Sequence, residues 1–132
     1  MKTHYLRAIL TVAVIFSFVC THAAEFESSG NNTDWSNTAA WTIVAGTDGD
    51  GIPDADDSVT VLDGDTIIVT ANSACENLDL QSSGAATYFK VNSSTTLNIG
   101  VKWQCISQAV NADIDVLVDG TVNVTNRFYV DG

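Results

Sequence analysis

Three stretches repeat one pattern: "VTVLDGDTIIV" from Val59, "FKVNSSTTLNI" from Phe89 and "VLVDGTVNV" from Val116 each read as apolar strand, polar corner, apolar strand. The corners recur at steps of 30 residues (Val61 to Val91) and 27 residues (Val91 to Val118). A period between about 20 and 50 residues marks a chain whose repeats cannot bury their own apolar face and must stack to do so. Period-two alternation turns Val59, Val61, Phe89, Val91, Leu97, Ile99, Ile114, Val116, Val118, Val122 and Val124 inward. It turns Thr60, Lys90, Asn98, Asp113, Asp115 and Asn123 outward. Further strands at Asn77 to Leu80 and Val101 to Ile106 make three per coil. Helix signals are nearly absent after Ala24, so the chain is all-β. A small antiparallel sandwich shares the turn spacing. The repetition of the whole unit favours a parallel β-helix solenoid.

The first residues, "MKTHYLRAILTVAVIFSFVCTHAA", have a basic start at Lys2 and Arg7, an apolar stretch from Ala8 to Cys20, and small residues before Glu25. This is the pattern of a secretory signal, and the apolar stretch is shorter than the roughly 20 residues that span a bilayer. Cleavage after Ala23 puts Thr21 and Ala23 at the small-residue positions, and cleavage after Ala24 is the alternative. Lipid modification of Cys20 fits less well, because bulky Phe18 and Val19 precede it. The expected organisation is a signal peptide at 1–23, an N-terminal cap and acidic loop at 24–57, and β-helix coils at 58–132. The mature chain is expected to be secreted, extracellular or on the cell surface, with no membrane insertion after cleavage.

Removal of residues 1–23 takes the net charge from −11 to −13, leaving Lys90, Lys102 and Arg127 against sixteen acidic residues. Such a surface repels nucleic acid and anionic lipid and attracts cations. Both histidines, His4 and His22, leave with the signal, so no histidine-based triad or metal site is available to the mature chain. Asp113 and Asp115, two apart on one strand, have the spacing of a carboxylate pair, but every acidic strand face produces such pairs. Sequons stand at Asn31, Asn92 and Asn123 and matter only in a eukaryotic secretory pathway.

"DWSNTAAW" (Asp34 to Trp41), "GIPDADDSVTV" (Gly51 to Val61), "NLDL" and "TTLNIG" (Thr95 to Gly100) together resemble the start of secreted bacterial parallel β-helix proteins. The resemblance covers residues 33 to 132 and implies a right-handed three-strand coil. It also implies a cap carrying Trp35 and Trp41 over the open first edge, and a chain continuing into further coils or domains. It points to adhesins, surface scaffolds and the front portions of carbohydrate-active enzymes. The expected function is therefore a structural or adhesive module without catalysis of its own, with polysaccharide or other cell-surface components as partners. The alternative is the non-catalytic N-terminal part of a polysaccharide lyase or glycoside hydrolase, in which Lys102 and Arg127 are lyase bases only by elimination.

Two further sites stand out. Asp48, Asp50, Asp54 and Asp57 fit D-x-D-G-I-P-D-x-x-D, which resembles the later half of a thrombospondin type 3 calcium repeat. Alternate carboxylates on a glycine-broken turn can converge on a hard cation, so calcium is the expected ligand. Gly46 stands where that repeat would have its first Asp, and the EF-hand pattern fails at Ile52. Cys75 and Cys105 are thirty residues apart, one of the observed steps, which brings them together on adjacent coils. They are then either a disulfide, favoured by an exported domain, or two stacked thiols.

Overall fold

The computed structural model describes residues 23–110 and 112–131, so the predicted signal, except Ala23, lies outside the described residues. Among the described residues ten strands succeed one another: β1 (Glu25–Ser28), β2 (Trp41–Ala45), β3 (Ser58–Val61), β4 (Thr66–Val69), β5 (Ser73–Ser82), β6 (Thr87–Val91), β7 (Thr96–Ser107), β8 (Ile114–Val118), β9 (Thr121–Val124) and β10 (Arg127–Asp131). A 3₁₀ turn, Thr38–Ala40, precedes β2, with the Asn37 side chain accepting from Ala39 N. The chain is thus all-β, as its Val/Ile/Thr alternation between Asp, Gly and Asn corners requires.

Nearly every pairing is parallel. One sheet runs β10-β7-β5-β3-β1-β2, with β9 also on β7, and a second runs β4-β6-β8. Among these strands only β1 and β2 are antiparallel. Three columns of interior side chains result, each set by register. Phe26, Val59, Leu78, Trp103 and Phe128 form one; Ile67, Phe89 and Val116 the second; Cys75, Ile99 and Val124 the third. Parallel partners place like positions one above another, so a chain that alternates correctly once does so in every layer.

The inward assignment made from sequence agrees with burial for Val59, Val61, Phe89, Val91, Leu97 and Ile99, all at 1% exposure or less. Ile114, Val116, Val122 and Val124 pack against the same core but are only half-buried, and Val118 is exposed, because they belong to the last layer. Thr60 and Lys90 are half-buried on the outer face, and Asn98 and Asn123 form an exposed ladder with an amide hydrogen bond of 2.9 Å.

The expected stacking of the first strand is corrected. β6 and β8 do pair, Val91 opposite Val118, which is the 27-residue step. β3, however, stands in the other sheet, where Val61 faces Leu80, and the partner of Phe89 is Ile67 of β4. The 30-residue step is therefore not a layer repeat. The layers advance by 19 residues from Ser58 to Asn77, 22 from Thr66 to Tyr88, and 25 from Asn77 to Lys102 and again to Arg127. β5 and β7 are long continuous strands, and their register slips between Cys75 and Asn77.

The segment assigned as a cap is partly sheet. β1 joins the first layer beside β3, and β2 covers its outer edge. Trp35 and Trp41 are buried, and their rings meet edge to face at 5.1 Å, with Trp41 Nε1 donating to Trp35 O at 2.7 Å. Trp35 then packs on Phe89 (6.4 Å), Phe89 on Trp103 (6.2 Å) and Trp103 on Phe128 (5.0 Å). An aromatic line thus runs through the interior. At its far end Phe128 and Val130 are 56% and 74% exposed.

Corners are held layer to layer. Asp63 Oδ1 accepts from the backbone of Ser83, Gly84 and Ala85 at 2.7, 3.2 and 3.0 Å. Those donors, Ser83 first, hold its carboxyl below the usual range. Buried Thr87 takes the Gly64 amide and donates to Gln81 O. At Gly120 a Cβ would collide with Asn92 O and Thr95 O of the layer before it, so only glycine lets this corner close.

Candidate functional sites: an acidic loop and a polar groove

The loop from Asp48 to Asp57 is a chain of carboxylate-capped turns. Asp48 Oδ2 accepts from Asp50 N (3.1 Å) and from Gly51 N, Asp50 Oδ1 from Ile52 N (3.0 Å), and Asp54 Oδ1 from Asp56 N (3.2 Å). Aspartate does this readily, because its short side chain mimics a backbone turn. Asp48, Asp54 and Asp57 each bring one carboxylate oxygen into a group lying within 4.8 Å of one another, and Asp50 is not part of that group. One hard cation with oxygen bonds of about 2.3–2.6 Å can span three such atoms.

The loop is electrostatically divided. Burial raises the Asp48 carboxyl, but the backbone donors of Gly51, Asp50 and Gly49 outweigh it and leave its pKa below the usual value. Asp54 is raised, first by its side-chain hydrogen bond with Asp56, with the charges of Asp56 and Asp57 adding to it. Asp57 is the buried member, 2% exposed, and both its oxygens accept: Oδ1 from Ala24 N at 2.7 Å and Oδ2 from Asp54 N at 2.9 Å. The three-carboxylate group fits a cation in part, since its innermost member is already tied to the backbone.

The second site was not visible as a motif. Outward side chains of the larger sheet line up in two rows across its strands. One row is Glu25, Ser58, Asn77, Lys102 and Arg127; the other is Glu27, Thr60, Asp79, Gln104 and Tyr129. Most of them line a groove of about 570 Å³, floored in part by Phe26 and Val59. Its charge runs from acidic at β1 to basic at β10. Two of the three lysines and arginines in residues 24–132 stand at the basic end. Lys102 Nζ pairs with Asp79 Oδ1 at 2.9 Å and reaches Gln104 Oε1 at 3.1 Å, while Arg127 Nη1 donates to the Tyr129 hydroxyl at 2.7 Å. Such a surface offers donors, acceptors and one aromatic ring to a polyhydroxylated chain. The signal was the coincidence of polar residues at layer spacing, which only a correct register brings into rows.

Asp113 and Asp115 are both exposed on or beside β8, outside that groove. Asp113 stands at the rim of a mostly apolar opening with Cys105, Val116, Phe128 and Val130. The cysteines are a second correction. Cys75 stands opposite Ile99 and Cys105 opposite Leu80, so the two are offset by five residues along β5 and six along β7, far beyond bridging range. Both are free and buried; burial, with the charges of Asp57 and Asp79, pushes the Cys75 thiol to about 12, and burial raises that of Cys105. No protein family, characterised protein or solved structure matches this chain.

Proposed function

We propose that residues 24–132 form a right-handed parallel β-helix, exported to the cell surface or beyond, that serves as a structural and adhesive module and binds polysaccharide along its polar groove. The observation that carries this reading is the groove itself, with its two rows of hydrogen-bonding side chains and its basic end at Lys102 and Arg127. The repeated parallel pairing at offsets of 19 to 27 residues supports the coil, and the strong right-handed preference of parallel crossovers supports its hand. The likeness of "DWSNTAAW" and "GIPDADDSVTV" to secreted bacterial β-helix proteins supports the setting, and the predicted signal supports export. Further coils of a longer chain would stack on the exposed apolar end at Phe128 and Val130.

The second reading, the non-catalytic front of a carbohydrate-active enzyme, rests on the same groove and differs only in the kind of domain that would succeed it along the chain. Calcium belongs to both readings. Bound at Asp48, Asp54 and Asp57, it would relieve carboxylate repulsion in the loop that leads into β3.

The test is binding of the purified 24–132 chain to immobilised acidic and neutral polysaccharides at fixed salt. Lys102→Ala with Arg127→Ala should weaken polysaccharide binding at least about tenfold, the equivalent of 1.4 kcal/mol. Asp113→Asn with Asp115→Asn should change nothing. Equal binding by the groove variant and the parent would remove the groove from the reading, and turnover of any polysaccharide would overturn the non-catalytic assignment.

A further inference from the structure

Asp57 poses a charge problem. It is a carboxylate with 2% exposure, and Asp48 and Asp54 place further carboxylate oxygens within 4.8 Å of one of its own. A buried anion is costly unless a positive charge balances it. The ion pairs among the described residues are Lys90–Asp119 and Lys102–Asp79, and Arg127 bonds to Tyr129, so every lysine and arginine of residues 24–132 is engaged elsewhere.

Two backbone nitrogens donate to the Asp57 carboxylate, that of Asp54 at 2.9 Å and that of Ala24 at 2.7 Å in a buried contact. Ala24 is itself fully buried, its carbonyl takes the Ser58 amide at 2.9 Å, and Gly46 lies so close to Ala23 and Ala24 that no side chain would fit there. This tightly held residue comes directly after Ala23, the last residue of the predicted signal.

We propose that cleavage of the Ala23–Ala24 bond creates an α-ammonium on Ala24 that pairs with the buried carboxylate of Asp57, so that removal of the signal completes the fold. The inference rests on the reading of residues 1–23 as a secretory signal. A signal peptidase of the exporting cell adds water across the amide. The C–N bond breaks, Ala23 leaves as a carboxylate on the signal, and the freed nitrogen of Ala24 takes up protons to become the ammonium. A neutral N–H donor at Asp57 Oδ1 thereby becomes a charged one, in a place already built for it. Cleavage one residue later would discard both this contact and the buried Ala24 methyl.

The first arm expresses the full 132-residue chain in an exporting bacterial host and reads the secreted product by intact mass and N-terminal sequencing. A start at Ala24 is expected. Secretion with a start at Glu25 or elsewhere overturns the inference while leaving export standing, and a chain that is neither cleaved nor exported overturns both. The second arm compares residues 24–132 carrying a free amine with the same chain Nα-acetylated, each also as Asp57→Asn. The free-amine form should melt roughly 5 °C or more above the acetylated one, and the gap should vanish in Asp57→Asn. Equal melting with Asp57 present refutes the pairing. Should Asp57→Asn fail to fold, the acylation rate of the α-amine decides. It should fall about tenfold or more from unfolded to native protein, and an unchanged rate overturns the proposal.

Discussion

Phe89→Ala tests the aromatic interior most directly. The ring is fully buried, stands in register between Ile67 and Val116, and touches Trp35 at 6.4 Å and Trp103 at 6.2 Å. Truncation removes its transfer energy, leaves a cavity between layers that cannot close, and breaks two ring contacts of about 0.5–1.5 kcal/mol each. Buried Phe→Ala changes cost about 3–5 kcal/mol in total, a large part of the roughly 5–15 kcal/mol that holds a domain together. Phe128→Ala is the internal control. It belongs to the same line and touches Trp103 at 5.0 Å, but more than half its surface is exposed. Less than half of a transfer energy of about 1.5–3 kcal/mol is then at stake, with no enclosed cavity, so about 1 kcal/mol is expected. Urea unfolding of the mature chain monitored by circular dichroism separates them. With a slope near 2 kcal/mol per molar, Phe89→Ala should lower the midpoint by about 1.5–2.5 M and Phe128→Ala by about 0.5 M. Equal shifts would mean that exposure at the last layer is not what divides the two positions, and the energetic reasoning would be wrong.

Gly120→Ala should destabilise by about 1–3 kcal/mol through the clash with Asn92 O and Thr95 O, read as a lower urea midpoint; a neutral result would show that the corners give way easily. In native protein at pH 8, Cys75 should resist alkylation while both cysteines react in denaturant, because its thiol is pushed up to about 12; two fast native thiols, or none after unfolding, would contradict the structure. Asp63 has a folded pKa below its unfolded value, so its contribution is present above the ordinary Asp range and is lost as pH falls through the folded value. Asp63→Ala should therefore melt below the parent at pH 7, with the gap closing below about pH 4; a pH-independent gap would assign the loss to packing. Calcium titrated to tens of millimolar should raise the melting temperature more than magnesium does, and at a hundredfold excess over its dissociation constant by about 2.7 kcal/mol of linkage. Equal shifts with both ions, or a shift surviving Asp48→Asn with Asp54→Asn, would mean screening of an acidic surface.

Much of the fold could be read directly from alternation. Period two fixes which side chains turn inward, and Phe89, Val91, Leu97 and Ile99 are buried as their parity requires. Register was harder, because parity says nothing about which strand lies above which. Strand-corner-strand looks the same at every corner of a layer, so the unit beginning at Val59 matches Phe89 by pattern when its partner is Leu78. The missing information sits at Glu76 and at Gly100 with Val101, where the β5–β7 register slips inside continuous strands. The same slip makes Cys75 and Cys105 look like neighbours. In the acidic loop the spacing named Asp48, Asp54 and Asp57, whose oxygens lie within 4.8 Å of one another, but not the way Asp57 is committed to Ala24, since that contact spans 33 residues. The groove has no linear signature because its rows exist only across layers.

The line of rings also gives the protein a built-in optical record of its own folding. Trp35 and Trp41, edge to face at 75°, lie under the first layers, whereas Trp103 stands farther along, between Phe89 and Phe128. Rings locked in fixed asymmetric surroundings give near-ultraviolet dichroism that disappears when packing loosens, even where strands persist. With Trp103→Phe, the tryptophan emission and most of that dichroism would come from the Trp35–Trp41 pair alone, so melting of the covered end could be followed apart from fraying at β10. A difference in temperature between this signal and the far-ultraviolet strand signal would measure how strongly one end of the molecule is coupled to the other.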